Sequence, residues 1–294
     1  MPRVAEDAPV LQSFTGEPGD VALRATRPQS LIITIFGAYS RRLDGWLPVS
    51  ALLTLLGQVG VEDAAVRSAL SRIKRRGVLI AERRGGVAGY ALSESAWRTF
   101  DIGDARVLNR RHPPPNEGWV LAAFSIPESA RDLRYRLRSR LSRVGFAQVS
   151  GGLWIAPRTL EQDIRYVAEV LSVQQFLDVF RAEHIAFRPT VEAVQQWWNL
   201  EQIAGAYDGF TDTYSRLGSQ ITSSGRPVTT ERAFSEYTRV LTSWRPLPYL
   251  DPGLPREYLP KRWPGDRATA LFYVLHDELA HLAQAHVTAL LPDR

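Results

Sequence analysis

The chain contains no cysteine and a single methionine, and only Lys74 and Lys261 among its 36 basic residues are lysines. Without cysteine there are no disulfides, no thiolate catalysis and no cysteine-ligated zinc. The scarcity of lysine reads as a genome-composition bias, so abundant arginine does not by itself point to a nucleic acid. No apolar run approaches the ~18–20 residues of a membrane helix, and the start lacks the basic-then-apolar order of a signal peptide. No membrane partner is expected, and the cytoplasm is the expected compartment. Glycine-rich phosphate loops and a Gly-x-Ser-x-Gly nucleophile elbow are also missing.

What is present describes a soluble globular protein with room for two or three cores: 294 residues, 45% hydrophobic and 23% charged. The formal charge is +5, and much of it is concentrated in one place. Between Val61 and Arg84, seven basic residues (Arg67, Arg72, Lys74, Arg75, Arg76, Arg83, Arg84) face three acidic ones (Glu62, Asp63, Glu82), a local charge of +4.

The same stretch has the clearest periodicity. Val66, Ala69, Leu70 and Ile73 fall at i, i+3, i+4 and i+7, one apolar stripe of a helix. Glu62 and Asp63 suit the positive end of its dipole and Lys74, Arg75 and Arg76 the negative end. Gly77 stops it where a left-handed residue costs least. Arg67, Ser68, Ser71, Arg72 and Arg75 lie off the stripe. Two short apolar runs follow, Val78–Ala81 and Val87–Leu92, joined through Arg83, Arg84, Gly85 and Gly86, which predicts a hairpin with a basic tip. Helix and hairpin together form the recognition helix and wing of a winged helix-turn-helix. In that arrangement Arg67, Ser68, Ser71 and Arg72 reach base edges or adjacent phosphates, Arg75 positions the helix, and Arg83 and Arg84 touch the backbone of double-stranded DNA. The bland alternative is an arginine-studded solvated helix face.

Upstream, residues 1–27 carry several prolines and no sustained period, the pattern of a flexible arm. Gln29–Tyr39 is densely apolar and is read as a buried first helix capped by Ser30, although periodicity alone also permits a strand. Pro48 fits the first turn of a positioning helix over Ala51–Leu56, broken by Gly57 to Gly60. Ser93 to Arg111 reads as a connecting helix. His112 and the three prolines after it close the first domain, taken as residues 28–111.

Residues 117–188 change rhythm. A strand over Trp119–Ser125, a helix over Glu128–Val144, strands over Phe146–Val149 and Gly152–Ala156, a helix over Leu160–Leu171 and a strand over Gln175–Phe180 give the β-α-β-β-α-β order of a ferredoxin-like domain. Such domains bind or dimerise, and a few are metal-dependent nucleases. The nuclease version needs a carboxylate at the end of the first strand, where this chain has Ser125. The arginines of Glu128–Val144 read as a solvated face, with an auxiliary phosphate contact as the alternative.

Residues 189–294 read as helical: one long pattern over Val191–Leu217, a second helix over Thr230–Trp244 and a third over Asp266–Leu290. A proline-rich loop of about twenty residues before the last helix is long for a compact region and points to function. There Arg256, Lys261, Arg262 and Arg267 surround Trp263, with Tyr249 and Tyr258 nearby, a set that suits an anion carrying an aromatic or nucleotide ring. The alternative is that Trp244 and Trp263 only anchor a core. In the last helix His276, His281 and His286 are spaced i+5, ~140° apart, so they do not share a face. Asp277 and Glu278 could each join His281, but no second cluster completes a metal site. No metal, cofactor or catalytic set is expected, and the chain does not read as an enzyme.

From Gln29 onward the chain resembles the PaaX family of transcriptional repressors. Two stretches carry the resemblance: Ala65–Gly77 with its wing, and the more specific Asp251–Gly265 running into an aliphatic helix. The resemblance implies an α+β multidomain chain with an N-terminal winged helix, a central ferredoxin-like domain and a helical C-terminal domain that binds the effector. It also implies a homodimer on a palindromic operator, released by an aryl-acetyl coenzyme A thioester such as phenylacetyl-CoA. Two other readings remain: a metal-dependent nucleic-acid enzyme built on the ferredoxin-like domain, and an acyl-CoA-binding or processing protein whose winged helix only contacts other proteins.

Overall fold

The computed structural model describes residues 26–108, 117–185, 187–223 and 227–291. The expected arm up to residue 25 and most of the proline boundary at residues 109–116 lie outside these. The contacts group the chain into two compact units. One comprises residues 1–108, 205–246 and 264–294, and the other residues 109–204 and 247–263.

In the first unit, α1 (Pro28–Tyr39) is buried along nearly its whole length, so it shows little polar face to solvent. Pro28 stands at its first position, where a missing N–H costs nothing, so Ser30 lies inside the helix rather than capping it. Trp46–Pro48 forms a short strand, β1, and α2 (Val49–Gln58) begins one residue after Pro48. The segment expected to be only the approach to a helix is a strand because it pairs antiparallel with Gly89–Ala91. α3 (Asp63–Arg75) follows, then β2 (Leu79–Arg84) and β3 (Val87–Leu92). The three strands make an antiparallel sheet in the order β1-β3-β2. Gly77 has φ +71°, the left-handed conformation expected of it. α4 (Glu94–Leu108) is capped by Ser93, whose Oγ accepts from the Ala96 N–H at 3.2 Å.

The second unit begins with β4 (Trp119–Phe124), followed by α5 (Arg131–Arg143), β5 (Ala147–Ser150), β6 (Leu153–Pro157), α6 (Glu161–Leu171) and β7 (Leu177–Ala182). The sheet runs β5-β6-β4-β7 with antiparallel neighbours throughout. One face holds the core: Val120, Ala122 and Phe124 of β4 pack with Leu137 and Leu141 of α5 and Ile164 and Val167 of α6. Residues 174–176 are a 3-10 turn, so the last strand starts at Leu177, later than its apolar pattern suggests.

The pattern expected to run unbroken from Val191 to Leu217 is two helices, α7 (Thr190–Trp197) and α8 (Leu200–Ser223). Trp198 turns extended between them, and its indole Nε1 donates to the Gly145 carbonyl at 3.0 Å. Asn199 then accepts from the Gln202 N–H at 2.9 Å and starts α8. α9 (Thr230–Trp244), the short α10 (Leu247–Leu250) and α11 (Pro264–Ala289) complete the chain.

The C-terminal helices share the core of the first unit. α9 packs on both α11 and α1. Thr34 and Thr242 exchange a 2.7 Å hydrogen bond, Tyr39 and Thr238 one of 3.0 Å, and the Trp244 indole donates to the Val107 carbonyl at 2.9 Å. Trp244 is fully buried and stacks on Phe272 with centroids 4.4 Å apart.

Candidate nucleic-acid interface and ligand sites

The two faces of α3 separate cleanly. Val66, Ala69, Leu70 and Ile73 are at most 2% exposed, and burying each larger side chain stabilises the fold by ~1.5–3 kcal/mol. Arg67, Ser68, Ser71, Arg72 and Arg75 are all exposed and fall within an arc of ~140° at 100° per residue. Arg67, Arg72 and Arg75 make no side-chain hydrogen bond or ion pair among the described residues. Their charge is therefore not neutralised by any described residue.

The hairpin turn is the two glycines, Gly85 with φ +54° and Gly86 with φ +81°. Two successive positive φ values suit a two-residue turn whose twist matches the strands, and glycine adopts them without strain. Arg83 and Arg84 therefore end β2 instead of forming the tip. They are also not equivalent. Arg84 is ion-paired to Glu82 at 2.9 Å, with its guanidinium 5.5 Å from the centre of the Trp46 ring. Arg83 is exposed and, among the described residues, donates only to the Gly86 carbonyl, at 3.1 Å. Ile80 and Val87 of the same hairpin are also exposed, two apolar side chains that the charge pattern did not single out.

The turn between α2 and α3 is held from the C-terminal helices. Arg239 donates to the Val59 carbonyl at 2.7 Å, Ser235 to the Gln58 carbonyl at 3.3 Å, and His286 Nε2 meets Gln58 Oε1 at 2.9 Å. Gly60, φ +83°, completes this turn. Nothing in the local sequence announces these contacts, since 177 to 228 residues separate the partners.

In the long loop, Arg256, Lys261 and Arg262 are exposed, and Arg256 donates to the Lys261 carbonyl at 3.2 Å. Trp263 is 3% exposed, so its ring packs as core and presents no face for a ligand to stack on. Arg267 is exposed and paired with Asp208 at 3.0 Å. The loop is fastened within the second unit: Tyr258 stacks on Trp119 with centroids 5.8 Å apart, and Trp119 stacks on Trp198 at 5.9 Å. Asp251 is buried and accepts from the Gly253 N–H at 2.8 Å.

Two of the three histidines of α11, His276 and His286, are part of the packing, and His281 is exposed. His276 Nδ1 meets the Tyr237 hydroxyl at 2.6 Å. Burial lowers the His276 pKa and raises that of Tyr237, which keeps the imidazole neutral and the phenol protonated. Among the described residues, no three His, Asp or Glu side chains converge on a possible ion position.

One cavity of about 690 Å³ lies wholly within the first unit. Its walls come from the end of α1 and the residues after it, from α4, and from the facing sides of α9 and α11. The rings of Tyr39, Trp97, Phe100 and Tyr237 line it, with Leu241 and Val107 between them. Arg41, Arg42 and Arg245 add three guanidiniums, and Asp101, Asp104 and Asp277 three carboxylates. Arg41 is ion-paired to both Asp101, at 3.0 Å, and Asp104. This volume falls within the ~300–1,000 Å³ of ordinary small-molecule sites. Sequence reading missed it, because its residues come from segments too far apart to form a motif.

Comparison with known proteins matches three family models in succession. Residues 27–96 match PaaX-like protein, residues 112–194 the PaaX protein central Cas2-like domain, and residues 198–289 the PaaX-like protein C-terminal domain. The transcriptional repressor PaaX of Escherichia coli (strain K12) is 24% identical over 265 residues, covering 88% of this chain and 82% of the repressor. Among solved structures, an uncharacterized protein from Mycobacterium tuberculosis aligns with a TM-score of 0.50 and 21% identity, over 90% of this chain and 99% of that one.

Proposed function

The chain belongs to the PaaX family, and from that premise we propose that it is a transcriptional repressor that binds double-stranded operator DNA. The observation that carries the reading is the exposed, un-neutralised face of α3 beside a basic hairpin. In this reading α1 to β3 form a winged helix-turn-helix. α3 enters the major groove with Arg67, Ser68, Ser71 and Arg72 toward base edges or nearby phosphates, Arg75 positions it, and Arg83 with Arg84 meets the backbone. Support comes from the chain order of three helices and a hairpin, and from the antiparallel β5-β6-β4-β7 sheet, the strand order of a ferredoxin-like domain. The protein acts as a cytoplasmic homodimer on a palindromic operator and is a regulator, not an enzyme.

An acyl-CoA thioester releases it. The exposed Arg256, Lys261 and Arg262 suit the phosphates of such a ligand. Trp263 and Arg267, also expected there from sequence, would contribute only after the Trp263 ring left the core and Arg267 left Asp208.

Fluorescence polarisation on a labelled fragment from upstream of the protein's own gene tests the reading. Tight binding that phenylacetyl-CoA releases, and that free phenylacetate and acetyl-CoA leave intact, is the expected result. No binding at moderate salt would overturn it.

A further inference from the structure

We infer that α5 of the second unit is a further contact surface for duplex DNA, one that holds phosphates of both strands along a groove and carries no sequence preference. It goes beyond the repressor reading and does not depend on α3, since every residue it uses lies in the second unit.

Charge and helical period set the partner. In 13 residues α5 carries six arginines and one acid, Asp132, a charge of +5 that equals the formal charge of the whole chain. The core claims one side of the helix: Leu137, Arg140 and Leu141 are buried and Leu133 is half-buried beside them. At 100° per residue the remaining arginines form two rows. Arg131 and Arg138 lie on one edge of the exposed face and Arg136 and Arg143 on the other, ~140° apart, and each row spans ~10.5 Å along the axis. Tyr135, 75% exposed, stands between the rows with Ser139 and Ser142. An α-helix fits the ~12 Å major groove, and one with cations on both edges meets a line of phosphates on each side. Serine pairs with any base edge, so the strip between the rows accepts any sequence. A single strand is the poorer match, because its successive bases need successive rings to stack on, and the exposed face of α5 has one.

The nearby carboxylates leave these rows charged. A solvated arginine face ordinarily has acids three or four residues away to pair with. Here Glu128 is ion-paired to Arg134, outside the rows. Asp132 stands four residues before Arg136 but makes no ion pair with it among the described residues. On α6, which packs beside α5, Glu161 is held by Arg165 and Arg181. Asp163 and Glu169 of α6 make no ion pair with Arg131, Arg136, Arg138 or Arg143 among the described residues. Arg138 donates to Gln148 Oε1 at 2.7 Å, a neutral partner that fixes the side chain and leaves its charge intact. Arg131, Arg136 and Arg143 make no side-chain hydrogen bond or ion pair among the described residues. Arg134 with Arg138, and Arg136 with Arg140, also stand at i, i+4, where like charges repel. A polyanion laid along the helix relieves that repulsion.

Fluorescence polarisation on the full chain over a salt series tests this, with the upstream fragment, an unrelated duplex and a single strand, all of equal length. Arg131→Gln/Arg136→Gln removes one cation from each row at exposed positions and keeps good helix formers. At ~0.9 per phosphate, the slope of log affinity against log salt should flatten by about 1.8, equally on both duplexes. A fourfold rise in salt then costs the variant about twelvefold less affinity than the parent. Arg131→Lys/Arg136→Lys, which keeps both charges, should retain the parent slope, a rescue that a purely structural role does not predict. An unchanged slope in the glutamine variant would overturn the inference, as would a flattening that the lysine variant shares. A change confined to the single strand would overturn the assignment to duplex DNA. The preference for the upstream fragment over the unrelated duplex reads α3 separately, and the glutamine variant should leave it intact. A parent without that preference would refute the repressor reading, while the slope difference would still decide for or against α5.

Discussion

The two hairpin arginines carry a quantitative prediction because the structure makes them unequal. Arg84 is bonded to Glu82 through Nε at 2.9 Å and Nη2 at 3.4 Å, so much of its charge is already neutralised. Arg83 donates only to a neutral carbonyl. Each phosphate contact adds ~0.9 to the slope of log affinity against log salt. Arg83→Ala should therefore flatten that slope by about 0.9, so that a fourfold rise in salt costs the variant about 3.5-fold less affinity than the parent. Arg84→Ala should flatten it less, and Glu82→Gln, which releases Arg84, should steepen it. Fluorescence polarisation over a salt series, on the operator and on an unrelated duplex of equal length, measures all three. The change should be the same on both duplexes, since phosphate contacts carry no sequence. Identical slopes for the parent and Arg83→Ala would refute the wing assignment. An unchanged slope in Glu82→Gln would refute the argument that the ion pair holds Arg84 back.

Arg67→Ala should cost about 1–3 kcal/mol of operator affinity and relax preference at a single base pair; an unchanged preference in a binding-site selection would remove Arg67 from the reading face. Trp244→Ala should lower stability by ~3–5 kcal/mol, because it empties a fully buried ring site and leaves the Val107 carbonyl without its donor. Denaturant unfolding measures this, and a change below 1 kcal/mol on that scale would mean α9 is not part of the core. In the second unit, Arg181 and Arg165 lower the Glu161 carboxyl to about 2. Because the folded value is depressed, the stabilisation is complete above the ordinary carboxylate range and disappears as the pH falls toward about 2. The gap in thermal midpoint between the parent and Glu161→Gln should close over that window; a pH-independent gap would contradict the pairing.

Local signals in the sequence settled the elements whose cause is local. The stripe of Val66, Ala69, Leu70 and Ile73, the stop at Gly77, the cap at Ser93 and the glycine pair of the hairpin each depend on residues within a few positions, and each stands where the pattern put it. Which charges α3 presents to solvent follows from the same period. The tertiary structure decided what depends on distant partners. Trp46–Pro48 is a strand because β3 lies beside it, and the Val191–Leu217 pattern breaks because Trp198 reaches the Gly145 carbonyl. Trp263 is core rather than a stacking platform because the loop folds around it. Arg84 differs from Arg83 through a side-chain pairing that two adjacent arginines do not reveal. The C-terminal helices share a core with the N-terminal ones because Thr242, Trp244 and Arg239 find partners more than 100 residues away. The cavity exists only where those segments meet. Periodicity reports which face of an element is buried, but only packing specifies what it is buried against, and the cavity and the turn that α9 holds both depend on that choice of partner.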